Sequence, residues 1–148
     1  GTESLHDIVG LDESLAVAYS HLSNEAQFIS DLKSYFIARL ESEVPGIKFN
    51  GCCKDFDKST YTLVNVCLPV SAEKAPLFLF QLDLKGIACS KGSACQSGSD
   101  KGSHVLTEIL SEEDLKKPSI RFSFSSYNTK DELDVVVDTL KNLVLEPA

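Results

Sequence analysis

The sequence contains no Met and no Trp, and its 148 residues include only three His. Because the chain begins with Gly1 and Thr2 instead of Met, we expect it to be processed at its N-terminus and to be a piece of a larger protein. No apolar run approaches the roughly 18 residues of a membrane span, and no secretory signal pattern opens the chain. We therefore expect a cytoplasmic protein.

Cysteine and histidine are too few and too scattered to predict a metal site. The adjacent Cys52 and Cys53 do not have a zinc-ligand spacing, and no nearby Cys or His completes a set of four ligands. Five Cys is an odd number, and a chain without a secretion signal is not expected to carry a disulfide framework. At least one thiol is therefore free.

Basic residues are also in the minority. The 22 acidic side chains outnumber the 14 basic ones, and the resulting charge of −8 is spread along the chain. This pattern argues against a nucleic-acid partner and favours a small-molecule or protein partner. The length and the 43% of hydrophobic residues predict one domain over residues 1–148.

Helical and strand patterns alternate along the chain. A stripe of Phe28, Leu32, Phe36 and Leu40 predicts a helix that ends at Pro45. The predicted helices cover 5–22, 23–43, 71–85, 103–110 and 129–144, and the predicted strands cover 47–51, 61–70, 87–89 and 119–124. The order predicts an α+β fold with helices packed on a small sheet.

One cysteine lies in an unusual segment. Cys95 follows Gly92 and Ser93 and precedes Gln96 and Ser97, in a stretch rich in Gly and Ser. From residue 85 to residue 103 there are three Lys and one Asp, so the segment is basic within an acidic chain. Positive charge favours the reactive thiolate, which makes Cys95 a candidate nucleophile, although an incidental Cys in a linker fits composition alone.

Other candidate residues lie in strand patterns. Cys67 and Cys89 fall within apolar segments, where Cys behaves as a small hydrophobe. In the strand SIRFSF, Ile120 and Phe122 share one face, so Arg121 points to the other. A guanidinium there suits a carboxylate ligand, and a solvent-facing Arg is the alternative.

Two segments in register resemble the C-terminal part of the cysteine desulfurases, which are pyridoxal-phosphate (PLP) enzymes of the class V aminotransferase family. They are KGIACSKGSACQSGSDKGSHVL and SIRFSFSSYNTKDELDVVVDTL. The opening GTESLHDIVGLDESLAVAY resembles the segment that follows the family's large domain. Asn50, Gly51 and Asn65 also match positions typical of the family, although a turn and an ordinary strand residue explain them as well.

The resemblance implies a small C-terminal domain with a mainly antiparallel sheet, taken without the large domain that holds PLP through a lysine. Cys95 would attack the sulfur of L-cysteine and become a persulfide, releasing L-alanine. Arg121 would bind the substrate carboxylate, with Asn50 as a weaker candidate. Gly1 and Thr2 would contact the cofactor phosphate across the family's dimer. The persulfide would pass to an acceptor or scaffold protein, as in iron–sulfur cluster assembly, and the chain alone is expected to be inactive.

Two other functions stay open. The parent protein could be a class V aminotransferase or lyase that acts on another amino acid. It could instead be a non-catalytic thiol module that carries sulfur or docks on a scaffold.

Overall fold

The computed structural model describes residues 1–91 and 103–145. In that part of the chain, helices and strands follow one another as eight elements. They are α1 (Leu5–Glu43), β1 (Lys48–Phe49), β2 (Leu63–Cys67), α2 (Ala75–Leu84), α3 (His104–Ile109), α4 (Glu112–Leu115), β3 (Ser119–Ser123) and α5 (Lys130–Leu145).

The three strands form one antiparallel sheet in the order β1-β2-β3. In the register of β2 and β3, Val64 lies opposite Phe122, and Asn65 lies opposite Arg121. Because strand side chains alternate between faces, the apolar and polar residues of each strand separate onto opposite sides. The expected α+β class with an antiparallel sheet is confirmed.

The core lies between one face of the sheet and the helices. Phe36 of α1 is fully buried, and its ring makes edge contacts with Phe122 at 5.3 Å and Phe124 at 5.6 Å. Val64, Val66 and Ile120, also fully buried, belong to the same cluster, together with Leu133, Val137 and Leu140 of α5. Burial of this apolar face fixes the register of the strands, because a slip of one residue would move the apolar side chains to the other face of the sheet.

The predicted break between two N-terminal helices was wrong, because α1 runs without interruption from Leu5 to Glu43. Neither Pro nor Gly lies at the predicted break between Leu22 and Ser23, and good helix formers follow it, so nothing stops the helix there. The two halves of α1 differ in packing. Every residue from Leu5 to Glu25 is exposed, whereas Ile29, Leu32, Phe36 and Leu40 are buried.

Charged side chains join the second half of α1 to α5. Arg39 donates to the Asp134 carboxylate at 2.6 Å, and Lys141 donates to Glu43 at 2.7 Å. The Tyr35 hydroxyl also donates to Asp134, at 2.7 Å. Because only the protonated hydroxyl can donate this hydrogen bond, Asp134 raises the pKa of Tyr35.

Several predicted boundaries are confirmed. α2 has Pro76 in its first turn and ends before Gly86, which adopts φ +77°. α5 begins with a capping box, in which Glu132 N donates to Thr129 Oγ1 at 3.3 Å and Thr129 N donates to Glu132 at 2.9 Å. The predicted strand at 87–89 was wrong, because pairing occurs only at Ser90, as a single bridge to Arg121. No helix in the described residues is long and apolar enough to cross a membrane.

Candidate functional site

The polar face of the sheet brings together residues that are far apart in sequence. Lys48, Cys67 and Ser119 form one cross-strand row, and Asn65 and Arg121 form the next. These residues alternate with the buried Val64, Val66, Ile120 and Phe122, so they lie on the side of the sheet away from α1. The polar face is therefore free to carry a site while the other face holds the core.

Arg121 is half-buried at the centre of this face. Its backbone is fixed on both sides, because it pairs with Asn65 of β2 and exchanges hydrogen bonds with Ser90. Arg121 N donates to Ser90 O at 2.7 Å, and Ser90 N donates to Arg121 O at 3.1 Å. Within residues 1–91 and 103–145, its guanidinium has no ion pair. A guanidinium that offers five donors and has no ion pair in the described part of the chain suits an external carboxylate.

Asn50 lies under this face and is only 5% exposed. Its Nδ2 donates to Asn65 Oδ1 at 2.8 Å and to Ser119 Oγ at 3.0 Å, so it links β2 to β3. Its Oδ1 is buried without a hydrogen-bond partner. The resemblance predicts that Asn50 lies at the substrate carboxylate. Its described contacts are with Asn65 and Ser119, which are neighbours of Arg121, and its contact with a carboxylate stays a prediction.

An acidic residue next to this face, Asp114, is already paired with basic side chains. Lys48 Nζ donates to both oxygens of Asp114, at 2.8 and 2.7 Å, and Lys117 adds a bond at 3.1 Å. These bonds lower the pKa of Asp114 to about 2. Asp114 is 8% exposed, whereas the side chain of Lys48 is largely exposed, so α4 is held to β1 by a charge pair at the edge of the solvent.

The candidate nucleophile, Cys95, lies outside the described residues. The other four thiols are free. Cys67 is buried, and burial raises its pKa, while burial raises the pKa of Cys89 to about 11. Cys53 donates to Asn65 O at 3.4 Å, and Cys52 is exposed. The interpretation of Cys67 and Cys89 as small hydrophobes fits this burial.

The remaining predicted residues lie apart from the polar face. Gly1 and Thr2 are exposed, and a Cβ added at Gly1 would meet nothing within 4 Å.

In the described part of the chain, His, Cys, Asp and Glu form no cluster that could hold a metal ion. Lys33, by contrast, is fully buried on the core side, where it donates to Ser59 Oγ and Thr60 O at 2.8 Å each.

Sequence reasoning missed the role of Ser119 and left Asn65 as an ordinary strand residue. The alternation in LVNVC places Asn65 on the polar side, and the alternation in SIRFS places Ser119 there as well. That signal identifies the face of each residue. It does not identify the register, which brings Asn65 opposite Arg121.

Comparison with known proteins identifies the class to which this fold and this polar face belong. A family model described as "Aminotransferase class-V" matches residues 1–136. The chain belongs to the class V aminotransferase family.

Within that family, the chain is similar to cysteine desulfurases. It is 31% identical over 144 residues to the cysteine desulfurase IscS of Dictyoglomus turgidum, covering 97% of this chain and 35% of that protein. It is 33% identical over 148 residues to the putative cysteine desulfurase IscS 1 of Bacillus subtilis, covering 97% of this chain and 38% of that protein. The chain thus spans about a third of the length of these relatives.

Two solved structures share the fold of this chain. A NifS-like protein from Rickettsia africae superposes with a TM-score of 0.72 at 23% identity, over 97% of this chain and 35% of that one. A second structure, titled NIFS-LIKE PROTEIN, has a TM-score of 0.72 at 22% identity, over 97% of this chain and 34% of that one. At these identities the likeness establishes the shared fold.

Proposed function

We propose that residues 1–148 are the small C-terminal domain of a PLP-dependent cysteine desulfurase, whose large cofactor-binding domain lies outside this chain. The observation that carries the proposal is the half-buried guanidinium of Arg121, which has no ion pair in the described residues and whose backbone pairs with Ser90. Cys95 follows Ser90 by five residues. Their Cα atoms therefore lie at most about 18 Å apart, which keeps a thiol within reach of a substrate held by Arg121.

The proposed reaction divides into binding and sulfur transfer. Arg121 binds the carboxylate of L-cysteine through two parallel hydrogen bonds. The Cys95 thiolate then attacks the substrate sulfur and forms an S–S bond, while the Cβ–S bond breaks and leaves its electron pair on carbon. That carbon takes a proton, so the products are L-alanine and a persulfide on Cys95.

PLP would supply the electron withdrawal that this cleavage needs. The described residues alone do not fit a complete PLP site. Lys33 is a buried lysine, but it is on the core side of the sheet and donates to Ser59 and Thr60, so it is not placed to form a Schiff base. We therefore assign the cofactor lysine to the large domain, with Gly1 and Thr2 contacting the cofactor phosphate across a homodimer.

The partners follow from the product. A persulfide is a carrier of sulfur, so we propose a sulfur-acceptor or scaffold protein as the partner and iron–sulfur cluster assembly as the process served. A cytoplasmic location is part of the same proposal. A similar protein of Dictyostelium discoideum, 29% identical over 136 residues, is named "Probable cysteine desulfurase, mitochondrial", so cell fractionation of the parent protein tests the location.

The test uses the full-length protein loaded with PLP and compares Cys95→Ser with Cys52→Ser. Cys95→Ser should abolish sulfide and alanine formation from L-cysteine and leave the cofactor absorbance unchanged. Cys52→Ser, which removes an exposed thiol elsewhere, should keep full activity. Normal desulfuration by Cys95→Ser would overturn the proposal.

Two further outcomes of the same experiment point to the other functions. Turnover of another amino acid, with none of L-cysteine, would favour an aminotransferase or a lyase. Persulfide that appears on Cys95 only when a separate desulfurase is added, in a parent protein without PLP, would favour a thiol carrier.

A further inference from the structure

Asn65 lies beside Arg121 with an amide donor that the fold leaves available. We propose that the side-chain NH2 of Asn65 is a second donor to the carboxylate of the amino-acid substrate, and that Asn50 positions it. This inference rests on the proposed function, because it takes Arg121 as the carboxylate-binding residue. It assigns specificity for the carboxylate to a pair of residues on two strands.

The register brings the two side chains together. Asn65 of β2 and Arg121 of β3 are direct cross-strand partners. Directly opposed residues in an antiparallel pair share a face and hold their Cβ atoms about 4.5–5.5 Å apart. Both side chains are half-buried and lie on the polar face. One carboxylate is therefore small enough to lie between the guanidinium and the amide and to accept from both.

Asn50 fixes which end of the Asn65 amide is free. The Asn50 Nδ2 donates to Asn65 Oδ1 at 2.8 Å, so the oxygen of Asn65 is occupied and its NH2 points away from that bond. No described residue accepts a hydrogen bond from this NH2. Asn65 therefore presents a donor, and not an acceptor, to anything that binds next to Arg121.

Asn50 reduces the stability of the fold, which argues against a purely structural role. Its Oδ1 is buried with no partner, and a buried polar atom without a hydrogen bond destabilises a fold. The effect of the arrangement is to hold the amides of Asn50 and Asn65 and the hydroxyl of Ser119 in one connected set. Asn50 acts as a positioning residue, because its own contacts are with Asn65 and Ser119.

The charge around this pair favours a carboxylate. Asp114, the acidic group next to the polar face, is held by Lys48 and Lys117 and is not available to Arg121. Two donors, one of them cationic, are thus left without an internal acceptor in the described part of the chain. A ligand with two anionic oxygens satisfies both, whereas a neutral amide offers one acceptor and brings an NH2 group against Asn65.

The experiment uses the full-length, PLP-loaded protein and the variant Asn65→Asp. The substitution keeps an oxygen for Asn50 to donate to and replaces the free donor with an anionic acceptor. We expect KM for L-cysteine to rise by roughly 10- to 100-fold, the range for a hydrogen bond to a charged group, with kcat changed by less than about 3-fold. Asn50→Ala should raise KM in the same direction by a smaller factor.

A binding measurement separates recognition of the carboxylate from a general disturbance of the site. L-alanine and L-alaninamide are used as competitive inhibitors, because they differ only in the carboxylate. Asn65→Asp should weaken inhibition by L-alanine and leave inhibition by L-alaninamide unchanged or improved. Equal weakening of both inhibitors would overturn the inference, since it would mean that Asn65 only supports the fold.

Control variants keep the result interpretable. Asn128→Asp makes the same chemical change at a residue whose hydrogen bonds are with Ser125 and Glu132, and it should leave KM unchanged. Asn65→Ala removes the donor without placing a carboxylate beside Arg121, so it should also raise KM, and it carries the test if Asn65→Asp does not fold. A raised KM in Arg121→Ala with a normal KM in Asn65→Ala would overturn this inference alone. A normal KM in Arg121→Ala would overturn the proposed binding site itself.

Discussion

The Nζ of Lys33 lies 2.8 Å from the carbonyl oxygen of Thr60, at the end of a side chain with no exposed surface. The same nitrogen donates to Ser59 Oγ and lies 4.6 Å from the centre of the Phe56 ring. One side chain of α1 therefore holds the irregular segment between β1 and β2 against the core. Burial lowers the pKa of Lys33, because the charged form loses hydration.

This lowered pKa predicts a rise in stability at alkaline pH. Between the folded-state pKa of Lys33 and its ordinary value of 10.5, the unfolded chain binds more protons than the folded one, so the free energy of unfolding increases with pH. Lys33→Met removes the titrating group at similar volume. The stability of wild type minus that of Lys33→Met, measured in urea from pH 7 to pH 10.5, should increase with pH. A constant difference would contradict the prediction.

The lowered pKa of Asp114 predicts that the free energy of unfolding decreases as the pH falls in the acid range. Its pKa of about 2 is below its ordinary value of 3.8, so its stabilising effect is complete above about pH 4 and is lost as the pH falls towards 2. Asp114→Asn should therefore lower the urea midpoint more at pH 6 than at pH 2.5. Glu112→Gln, at an exposed carboxylate in the same helix, serves as the control and should show a much smaller pH dependence.

Arg121 predicts a loss of substrate binding that a lysine repairs only in part. In the full-length protein, Arg121→Ala should weaken L-cysteine binding by roughly 2 to 5 kcal/mol, the range for truncating one partner of a buried charge pair. Arg121→Lys should recover part of this loss, because a point charge cannot make the two parallel bonds of a guanidinium. Steady-state kinetics measure both variants, and unchanged affinity in Arg121→Ala would make Arg121 an ordinary surface residue.

Thiol reactivity should separate Cys95 from the buried Cys67 and the half-buried Cys89. With a pKa of about 11, only about 0.1% of Cys89 is thiolate at pH 8, and burial also suppresses Cys67. A brief alkylating pulse at pH 8 should therefore label Cys95 before Cys67 and Cys89. Cys52 is exposed, so the Cys52→Ser background keeps its signal out of the comparison. Equal labelling rates at Cys95, Cys67 and Cys89 would count against a reactive Cys95.

Local patterns predicted most of the elements but few of the contacts between them. The capping box at Thr129 and the Pro and Gly that bracket α2 act over a few residues, so the sequence contains them in full. The break predicted before Ser23 is absent, because the sequence has no Pro or Gly there to stop the helix backbone. α4 was missed because four residues are too few to show an apolar period, although Ser111 caps it at Asp114 N.

The candidate site was predicted one residue at a time. Arg121 was found from alternation within its own strand, which is a local signal. Its partners Asn65 and Ser90 depend on the register of β2 with β3 and on a single bridge from another segment, and tertiary packing sets both. The role of Asn50 was least predictable, because its two bonds cross from the end of β1 to two other strands.

The exposed first half of α1 makes the local stability of this helix uneven. From Leu5 to Glu25 the helix runs about 32 Å without a buried residue, and most of the stability of a helix in a protein comes from packing of a buried face. Opening can therefore proceed from Leu5 towards Glu25 without disturbing Phe36 or the rest of the core. Amide hydrogen exchange therefore reports whether another surface covers the first half of α1. Only an added contact would slow exchange there to the rate of the core-packed second half.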